Sequence, residues 1–270
     1  MRLTDKVAIV TGSTRGIGEG IARAFFREGA KVVVSGRDEA AGRSIVDELL
    51  SSGDASASKK RAVFIKADVS RRQDVAELKD RTLEYFGGVD VLVNNAGVNA
   101  PFPMEKVTLP AWDKIMDIDL KGVLFCSQII GAEMIKQGRG SIINLASIAA
   151  RYAYPDGAAY GPAKAAVVML TKQCAMEWAR YKVRVNAISP GLILTPLSQN
   201  IYQDPEIKRT REKIVPLGRI GLPEDIAHLA VFLASEESSY ITAQDILVDG
   251  GLTDGVYQHI PGRAAIKEPM

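Results

Sequence analysis

The chain has 270 residues, of which 47% are hydrophobic and 24% are charged, and its formal net charge is +2. This is the composition of a globular protein with one large domain or two small ones. Lys and Arg are interspersed with Asp and Glu, so no concentrated basic face predicts a nucleic-acid partner. No apolar run approaches the roughly 18 residues of a membrane span, and the first residues lack the pattern of a signal peptide.

The cysteine and histidine usage gives no sign of a disulfide framework or a metal site. Cys126 and Cys174 are the only cysteines, and both fall inside apolar helical patterns. They predict reduced thiols in the core. His228 and His259 have no metal-ligand spacing. We therefore expect a cytoplasmic protein that works without a metal, a nucleic acid or a membrane.

Apolar strands alternate with helical patterns along the chain. The strand KVAIV is followed by the loop TGSTRGIG, the amphipathic helix EGIARAFFREGA and a second strand, KVVVS. Further strands are indicated in AVFIKADV, VDVLVNNAG, GSIINLAS, VRVNAISPG and DILVDGG. Further helices are indicated by a charged segment that runs through residue 81 and in residues 112–135, 162–181 and 224–234.

These elements predict a single α/β domain over residues 1–270. Most of the seven strands are continuous runs of Val, Ile and Leu, as expected where both faces of a sheet are covered. Strands that alternate with helices imply a parallel, doubly wound sheet of the Rossmann type. The one low-complexity patch, residues 51–60, is predicted to be a surface loop.

The loop TGSTRGIG lies where the first strand gives way to the first helix. Glycines there let the backbone approach a pyrophosphate, and the N-terminus of the helix offers free N–H groups to its charge. The spacing is GxxxGxG rather than GxGxxG, and an isolated match is equally compatible with a turn that binds nothing. The flanking strand and helix supply the context that a dinucleotide site requires.

The end of the second strand bears on which dinucleotide is bound. An acid at that point favours NAD, and an Arg nearby favours NADP. The last two residues of the strand, Ser-Gly, carry no carboxylate, whereas Arg37 follows directly and Arg15 lies in the glycine loop. Asp38 stands at the usual distance for a ribose-binding acid, or it caps the next helix. We favour NADP(H), with NAD(H) as the alternative.

The stretch AAYGPAKAA places Tyr160 and Lys164 one helical turn apart on one face, with Pro162 suited to the first turn. An ordinary tyrosine is a poor base at neutral pH, but a neighbouring cation favours the phenolate. Such a phenol can exchange a proton with oxygen while a hydride moves at carbon. Taken alone, YxxxK fits a surface Tyr beside a solvated Lys; combined with the glycine loop, it predicts an oxidoreductase.

Taken in order, these motifs resemble the compact, single-domain branch of the short-chain dehydrogenase/reductase family. The resemblance spans residues 5–251 and rests on TGSTRGIG, Asp68-Val69, Asn94-Asn95-Ala96-Gly97, Ser147, YGPAK, Pro190-Gly191 and VDGG. It implies a homotetrameric enzyme that interconverts a secondary alcohol and a ketone with a nicotinamide cofactor. Relatives of this kind act on 3-oxoacyl thioesters or on sugars and polyols.

The resemblance also implies a role for each matched position. Tyr160 is the acid/base, Lys164 favours its phenolate and holds the nicotinamide ribose, and Ser147 hydrogen-bonds the reacting oxygen. For Asn94 and Asn95 a purely structural role stays open. The implied cofactor site comprises Gly12, Thr14, Arg15, Gly16, Ile17, Gly18, Arg37, Asp68, Val69, Asn95, Ala96, Gly97, Tyr160, Lys164, Pro190, Gly191, Ile193 and Thr195.

The chain departs from the family pattern at Asp119, where the family usually has an asparagine that positions a water beside the lysine. A carboxylate near Lys164 offsets part of the effect of the cation on Tyr160, so we expect the activity optimum to lie at higher pH. A harmless substitution is equally open. Asp119 also keeps open a second function, a non-catalytic nucleotide-sensing or interaction protein on the same fold.

Loops at the carboxyl ends of the strands are predicted to form the substrate wall: residues 98–104, 148–157 and 192–222, the last as a closing lid. Candidates for its lining are Phe102, Tyr152, Tyr154 and Tyr202, with Asn99, Arg151, Gln199 and Asn200 as polar groups. The basic lid residues Lys208, Arg209, Arg211 and Lys213 indicate a solvated helix face more than an anion site. A free small substrate is favoured over a carrier-bound 3-oxoacyl thioester. Whether the C-terminal extension, residues 252–270, covers a neighbouring subunit or lacks fixed structure stays open.

Overall fold

The computed structural model describes residues 1–51 and 61–255, which form seven strands and eight α-helices. The strands are β1 (Val7–Thr11), β2 (Lys31–Gly36), β3 (Ala62–Lys66), β4 (Val91–Asn94), β5 (Gly140–Leu145), β6 (Val183–Pro190) and β7 (Asp245–Val248). The helices are α1 (Gly16–Arg27), α2 (Glu39–Ser51), α3 (Arg72–Phe86), α4 (Leu109–Met116), α5 (Gly122–Gln137), α6 (Tyr160–Trp178), α7 (Pro205–Ile214) and α8 (Pro223–Ala234).

The strands form one parallel sheet in the order β3-β2-β1-β4-β5-β6-β7. The chain therefore winds outward from β1 in one direction and from β4 in the other. This confirms the predicted doubly wound, seven-stranded, Rossmann-type domain. In such a sheet a ligand crevice opens at the carboxyl ends of the strands, where the strand order reverses.

Alternate residues of each central strand face opposite layers of helices. In β1, Ala8 and Val10 pack with the core formed by α1, α2 and α8, whereas Ile9 packs with the core formed by α3, α5 and α6. Val33 of β2 lies on the same side as Ile9. Because both sheet faces are buried, the strands carry no polar alternation, which is why their sequence is a continuous apolar run.

Two helices differ in their bounds from the prediction. The segment predicted as one helix over residues 112–135 starts earlier and is divided by a π-helical turn, Asp117–Lys121, between α4 and α5. The helix predicted from residue 162 begins at Tyr160, and a 3-10 turn, Ala179–Tyr181, follows it. Pro162 is accommodated because backbone N–H groups in a first turn have no partner within the helix.

Both cysteines are free and buried, as predicted. Burial raises the pKa of the Cys126 thiol to about 12 and that of Cys174 to about 11. Of the predicted surface loop, residues 52–60 lie outside the described part of the chain, and the C-terminal extension is described only as far as Gly255. In residues 1–51 and 61–255, no helix has the length and apolar character required to cross a bilayer.

Candidate active site

A cavity of about 560 Å³ opens at the carboxyl ends of the central strands, where the strand order reverses. Its volume is typical of ligand cavities. The four residues predicted for catalysis, Asp119, Ser147, Tyr160 and Lys164, all line it. So does every residue predicted for the cofactor except Gly18. The structure thus brings together side chains that are far apart in the sequence.

The glycine loop has the geometry of an anion cradle. Gly12 and Gly16 have φ of 61° and 62°, in the left-handed region that favours glycine. A Cβ at Gly12 would lie 2.7 Å from the Cα of Ala96, so no side chain fits there. Arg15, which precedes α1, makes no side-chain cap, and the first N–H groups of the helix remain for a ligand. The loop therefore fits the pyrophosphate of a dinucleotide.

Gly18 and Asn95 support this loop from behind. A Cβ at Gly18 would lie 2.6 Å from the carbonyl oxygen of Gly12, so the third glycine allows α1 to pack closely. Asn95 Nδ2 donates to the carbonyls of Thr11 and Gly12 at 2.9 and 3.0 Å. Gly18 was predicted to contact the cofactor. In the structure it does not line the cavity and instead lets α1 pack closely against the glycine loop.

Asn94 belongs to a buried polar chain beneath the cavity. Its Nδ2 donates to Ser127 Oγ at 3.1 Å and to Asn144 Oδ1 at 2.8 Å. Asn144 Nδ2 in turn donates to Thr171 Oγ1 at 2.8 Å. The chain ties β4 and β5 to α5 and α6, which matches the structural alternative for Asn94. Sequence reasoning missed Ser127, Asn144 and Thr171, because their hydrogen bonds join segments that are far apart along the chain.

The end of the cavity at β2 and β3 carries both basic and acidic groups. Arg37 Nη1 lies 4.0 Å from Asp68 Oδ2. Partial burial acts to raise the pKa of Asp68, but hydrogen bonds from Ser70 and the charge of Arg37 keep that pKa below its ordinary value. Asp38 Oδ1 accepts a hydrogen bond from Ala41 N at 3.0 Å, at the start of α2. Asp38 therefore acts as a helix cap, one of the two interpretations of its sequence position.

A buried ion pair, Lys164 and Asp119, lies in the wall of the cavity. Lys164 Nζ donates to the carbonyl of Leu145 at 3.0 Å and lies 3.1 Å from Asp119 Oδ2. Asp119 Oδ1 accepts from Val98 N at 2.8 Å, whereas Oδ2 has no partner in hydrogen-bond geometry. The π-helical turn carries Asp119, whose side chain is 0% exposed. The ring centre of Tyr160 lies 5.5 Å from Lys164 Nζ.

The charges around Lys164 decide its protonation. Burial alone lowers the pKa of its ammonium group, but the charges of Asp119 and Tyr160 outweigh burial and raise that pKa above its ordinary value. Lys164 is therefore a cation at neutral pH. Gly97 leaves room for the pair, because a Cβ there would lie 2.9 Å from Asp119 Oδ2.

Ser147 follows β5 and begins the 3-10 turn Ile148–Ala150, where its Oγ accepts from Ala149 N at 3.1 Å. Arg151, predicted as a polar group of the substrate wall, is turned away from the cavity. It donates to Asp245 Oδ2 at 2.9 Å and to the Asp245 carbonyl at 2.8 Å. The segment after Ser147 is thereby fastened to β7, a contact that the sequence did not predict.

The other predicted wall residues divide into two groups. Tyr202 and Arg211 line the main cavity, and Tyr154 lines a neighbouring cavity of about 470 Å³. Partial burial and Tyr160 raise the pKa of Tyr154, and a hydrogen bond with Asn99 opposes them. The remaining candidates line neither cavity: Asn99, Phe102, Tyr152, Gln199 and Asn200. Among the described residues, no three His, Cys, Asp or Glu side chains are grouped as metal ligands.

Comparison with known proteins places this geometry in a family. The family model described as enoyl-(acyl carrier protein) reductase matches residues 12–253. 3β-Hydroxysteroid dehydrogenase 1 of Eggerthella lenta is 39% identical over 253 residues, which cover 93% of this chain and 95% of that protein. The NAD-dependent glycerol dehydrogenase of Listeria innocua is 37% identical over 251 residues, with coverages of 93% and 95%.

A solved structure shows the same fold. The gluconate 5-dehydrogenase of Burkholderia cenocepacia, in complex with NADP and tartrate, superposes with a TM-score of 0.87 at 34% identity, over 94% of this chain and 97% of that one. The match to the family model, the two relatives and this structure all cover nearly the whole domain. The chain belongs to the short-chain dehydrogenase/reductase family of oxidoreductases.

Proposed function

We propose that the protein is an NADP(H)-dependent oxidoreductase that interconverts a secondary alcohol and a ketone, with Tyr160 as its acid/base. The observation that carries the proposal is the grouping of Tyr160, Lys164 and Ser147 in the cavity that the glycine loop also lines. A phenol beside a buried ammonium and a hydroxyl suits proton exchange with a carbonyl or alcohol oxygen. The bound nicotinamide supplies or accepts the hydride.

In the direction of ketone reduction, the Tyr160 hydroxyl donates a proton to the carbonyl oxygen of the substrate. Ser147 Oγ accepts a hydrogen bond from Ala149 N, so its own proton is free to donate to the same oxygen. The Lys164 ammonium stabilises the phenolate that remains on Tyr160. In alcohol oxidation the phenolate accepts the proton.

Lys164 and Asp119 complete the proposed catalytic group. One Lys164 proton is directed to the Leu145 carbonyl, and the ammonium group has further protons for the ribose hydroxyls of the cofactor while its charge faces Asp119. Asp119 acts through Lys164, as a positioning residue, and takes the place of the family asparagine.

The choice of NADP(H) rests on Arg15 and Arg37, which line the cavity and can meet a 2′-phosphate. Asp38 also lines the cavity, but its Oδ1 is engaged as a helix cap. NAD(H) is the alternative, and the glycerol dehydrogenase of Listeria innocua is named as NAD-dependent. Fluorescence titration with NADPH and NADH distinguishes them. We expect NADPH to bind at least about tenfold more tightly, as one charge-assisted contact predicts; equal affinities or a preference for NADH contradicts the assignment.

The proposed substrate is a free small secondary alcohol or its ketone. A 3-oxoacyl thioester is the second candidate, because the matching family model is described by an acyl-carrier substrate. The test is a panel of hydroxysteroids, polyols, aldonates and acetoacetyl thioester, with oxidation or reduction of the nicotinamide as the readout. Turnover of a member supports the enzyme and names its class. Tight NADPH binding without turnover across the panel supports the non-catalytic alternative.

The proposal extends to assembly and location. Met169 and Met176 of α6 are 63% and 65% exposed, an apolar face that suits a subunit interface, and we propose a homotetramer. Light scattering coupled to gel filtration tests it, and a monomeric mass contradicts it.

Residues 192–222 act as the substrate lid in this scheme, and residues 252–270 form an extension. The free thiols of Cys126 and Cys174 fit the reducing cytoplasm.

A further inference from the structure

The four basic residues of the lid do not share one environment. Lys208 Nζ lies 3.8 Å from Glu212 Oε1, a pair one turn apart on α7. Arg209 and Lys213 are exposed. Arg211 is half-buried and lines the main cavity. The solvated helix face predicted for all four therefore holds for three of them, and Arg211 departs from it.

Arg211 is held in place by an aromatic ring. Its guanidinium carbon lies 5.6 Å from the ring centre of Tyr202, within the range of a cation–π contact. Both residues line the cavity. A contact of this kind favours a guanidinium near the ring and leaves its N–H groups free for hydrogen bonds.

A second feature of Arg211 is its lack of a counter-charge among the described residues. Within the described ranges, no carboxylate comes within 4.0 Å of its nitrogens. The next arginine along the chain, Arg219, contrasts with it, because two of its nitrogens donate to the two oxygens of Asp225 at 2.7 Å. A half-buried guanidinium that lines a cavity and has no described carboxylate within 4.0 Å of its own nitrogens is suited to an anion from outside the chain.

The lid around Arg211 has a fixed structure above the glycine loop. Ser198 Oγ donates to the Ile193 carbonyl at 2.7 Å and accepts from Thr195 N at 3.0 Å. The side chain of Thr195 passes 3.5 Å from where a Cβ at Gly16 would stand. Asp204 caps α7 by accepting from Glu206 N at 2.8 Å. A ligand in the cavity thus lies between the glycine loop and the lid that carries Arg211.

We propose that Arg211, in cation–π contact with Tyr202, is a lid site for an oxyanion, a phosphate or a carboxylate, that enters with a ligand of this cavity. The planar fork of a guanidinium matches two oxygens of either group. The oxyanion comes from one of two sources, the pyrophosphate of the cofactor or a carboxylate of the substrate. The site rests on the proposed function in so far as that function names the occupants of the cavity.

The test compares Arg211→Ala with Arg209→Ala, an exposed arginine of the same helix that does not line the cavity. One arm measures the dissociation constants of NADPH and NADH by fluorescence. The other arm uses calorimetry to measure the binding of gluconate and of glucitol to the NADP complex. Gluconate carries a carboxylate where glucitol has a hydroxymethyl group. Neither arm requires turnover, so the site can be tested even if the proposed reaction is not found.

Because a charge-assisted contact is lost, we expect the affinity of Arg211→Ala to fall about tenfold or more in one arm. If Arg211→Ala weakens NADPH and NADH equally, the pyrophosphate is the source. If it weakens gluconate and spares glucitol, a substrate carboxylate is the source. We expect Arg211→Lys to recover part of the loss, because it restores the charge without the fork. Affinities of Arg211→Ala that match those of Arg209→Ala in both arms overturn the proposal.

Discussion

Replacing Asp119 by Asn tests the part of the site in which this chain departs from its family. The substitution removes one charge and keeps an oxygen that can accept from Val98 N. The Asp119 carboxylate lies 3.1 Å from Lys164 Nζ, which is 5.5 Å from the ring centre of Tyr160. Together with the size of the phenol ring, these two distances put the carboxylate no more than about 11 Å from the phenol oxygen.

At that limit and an effective dielectric constant of about 20, the carboxylate destabilises a phenolate by roughly 1.5 kcal/mol. This free energy corresponds to a shift of about one pH unit. Oxidation of an alcohol requires the phenolate, so the acid limb of its pH–rate profile should move about one unit to lower pH in the Asn variant. The charge of Asp119 also helps to raise the pKa of Lys164. An alkaline limb caused by deprotonation of Lys164 should therefore also move to lower pH in the Asn variant.

The assay is kcat/KM for alcohol oxidation from about pH 5 to pH 10, in buffers of constant ionic strength. Asp117→Asn is the matched control: its carboxylate also faces a lysine, Lys121 at 2.7 Å, but the pair is exposed. We expect the control to leave the profile in place. Coincident profiles for the wild type and Asp119→Asn, or a shift to higher pH, would refute the electrostatic reasoning.

Three further predictions concern the cavity and its surroundings. Arg37→Ala should weaken NADPH binding about tenfold and leave NADH unchanged in fluorescence titrations; equal losses would contradict a phosphate contact. Gly18→Ala should lower the free energy of unfolding in urea by about 1–3 kcal/mol, because the added Cβ meets the backbone of Gly12; unchanged stability argues against this packing. Tyr154→Phe removes a hydroxyl that is hydrogen-bonded to Asn99, so it should raise KM severalfold and change kcat little. A fall in kcat with KM unchanged would contradict a place for Tyr154 on the substrate wall.

The fold was accessible from the sequence because its strongest signals are local. Continuous apolar strands, a glycine loop between strand and helix, and alternating helices lead to one parallel sheet. The carboxyl ends of parallel strands share an edge, so Ser147 after β5 and Gly191 after β6 had to meet there. The order and direction of the strands therefore explain why these residues of the site lie together.

What the sequence could not give depends on contacts between distant segments. Helical periodicity does not reveal the π-helical turn that carries Asp119 to within 3.1 Å of Lys164. Arg151 donates a hydrogen bond to Asp245, which lies 94 residues further along the chain. The residue type and position of Arg151 fitted a substrate contact equally well. Arg211 and its neighbours on α7 look alike in sequence, and only the fold separates the one that enters the cavity from those in solvent.

The most direct test of the account is to replace Tyr160 by Phe and measure cofactor binding and turnover on the same preparation. The variant removes one hydroxyl and retains the ring beside Lys164. We predict an NADPH dissociation constant within about twofold of the wild-type value and a loss of turnover of about 10²–10⁴-fold. Turnover that persists near the wild-type rate while the cofactor binds normally would contradict the central claim that this phenol exchanges the proton.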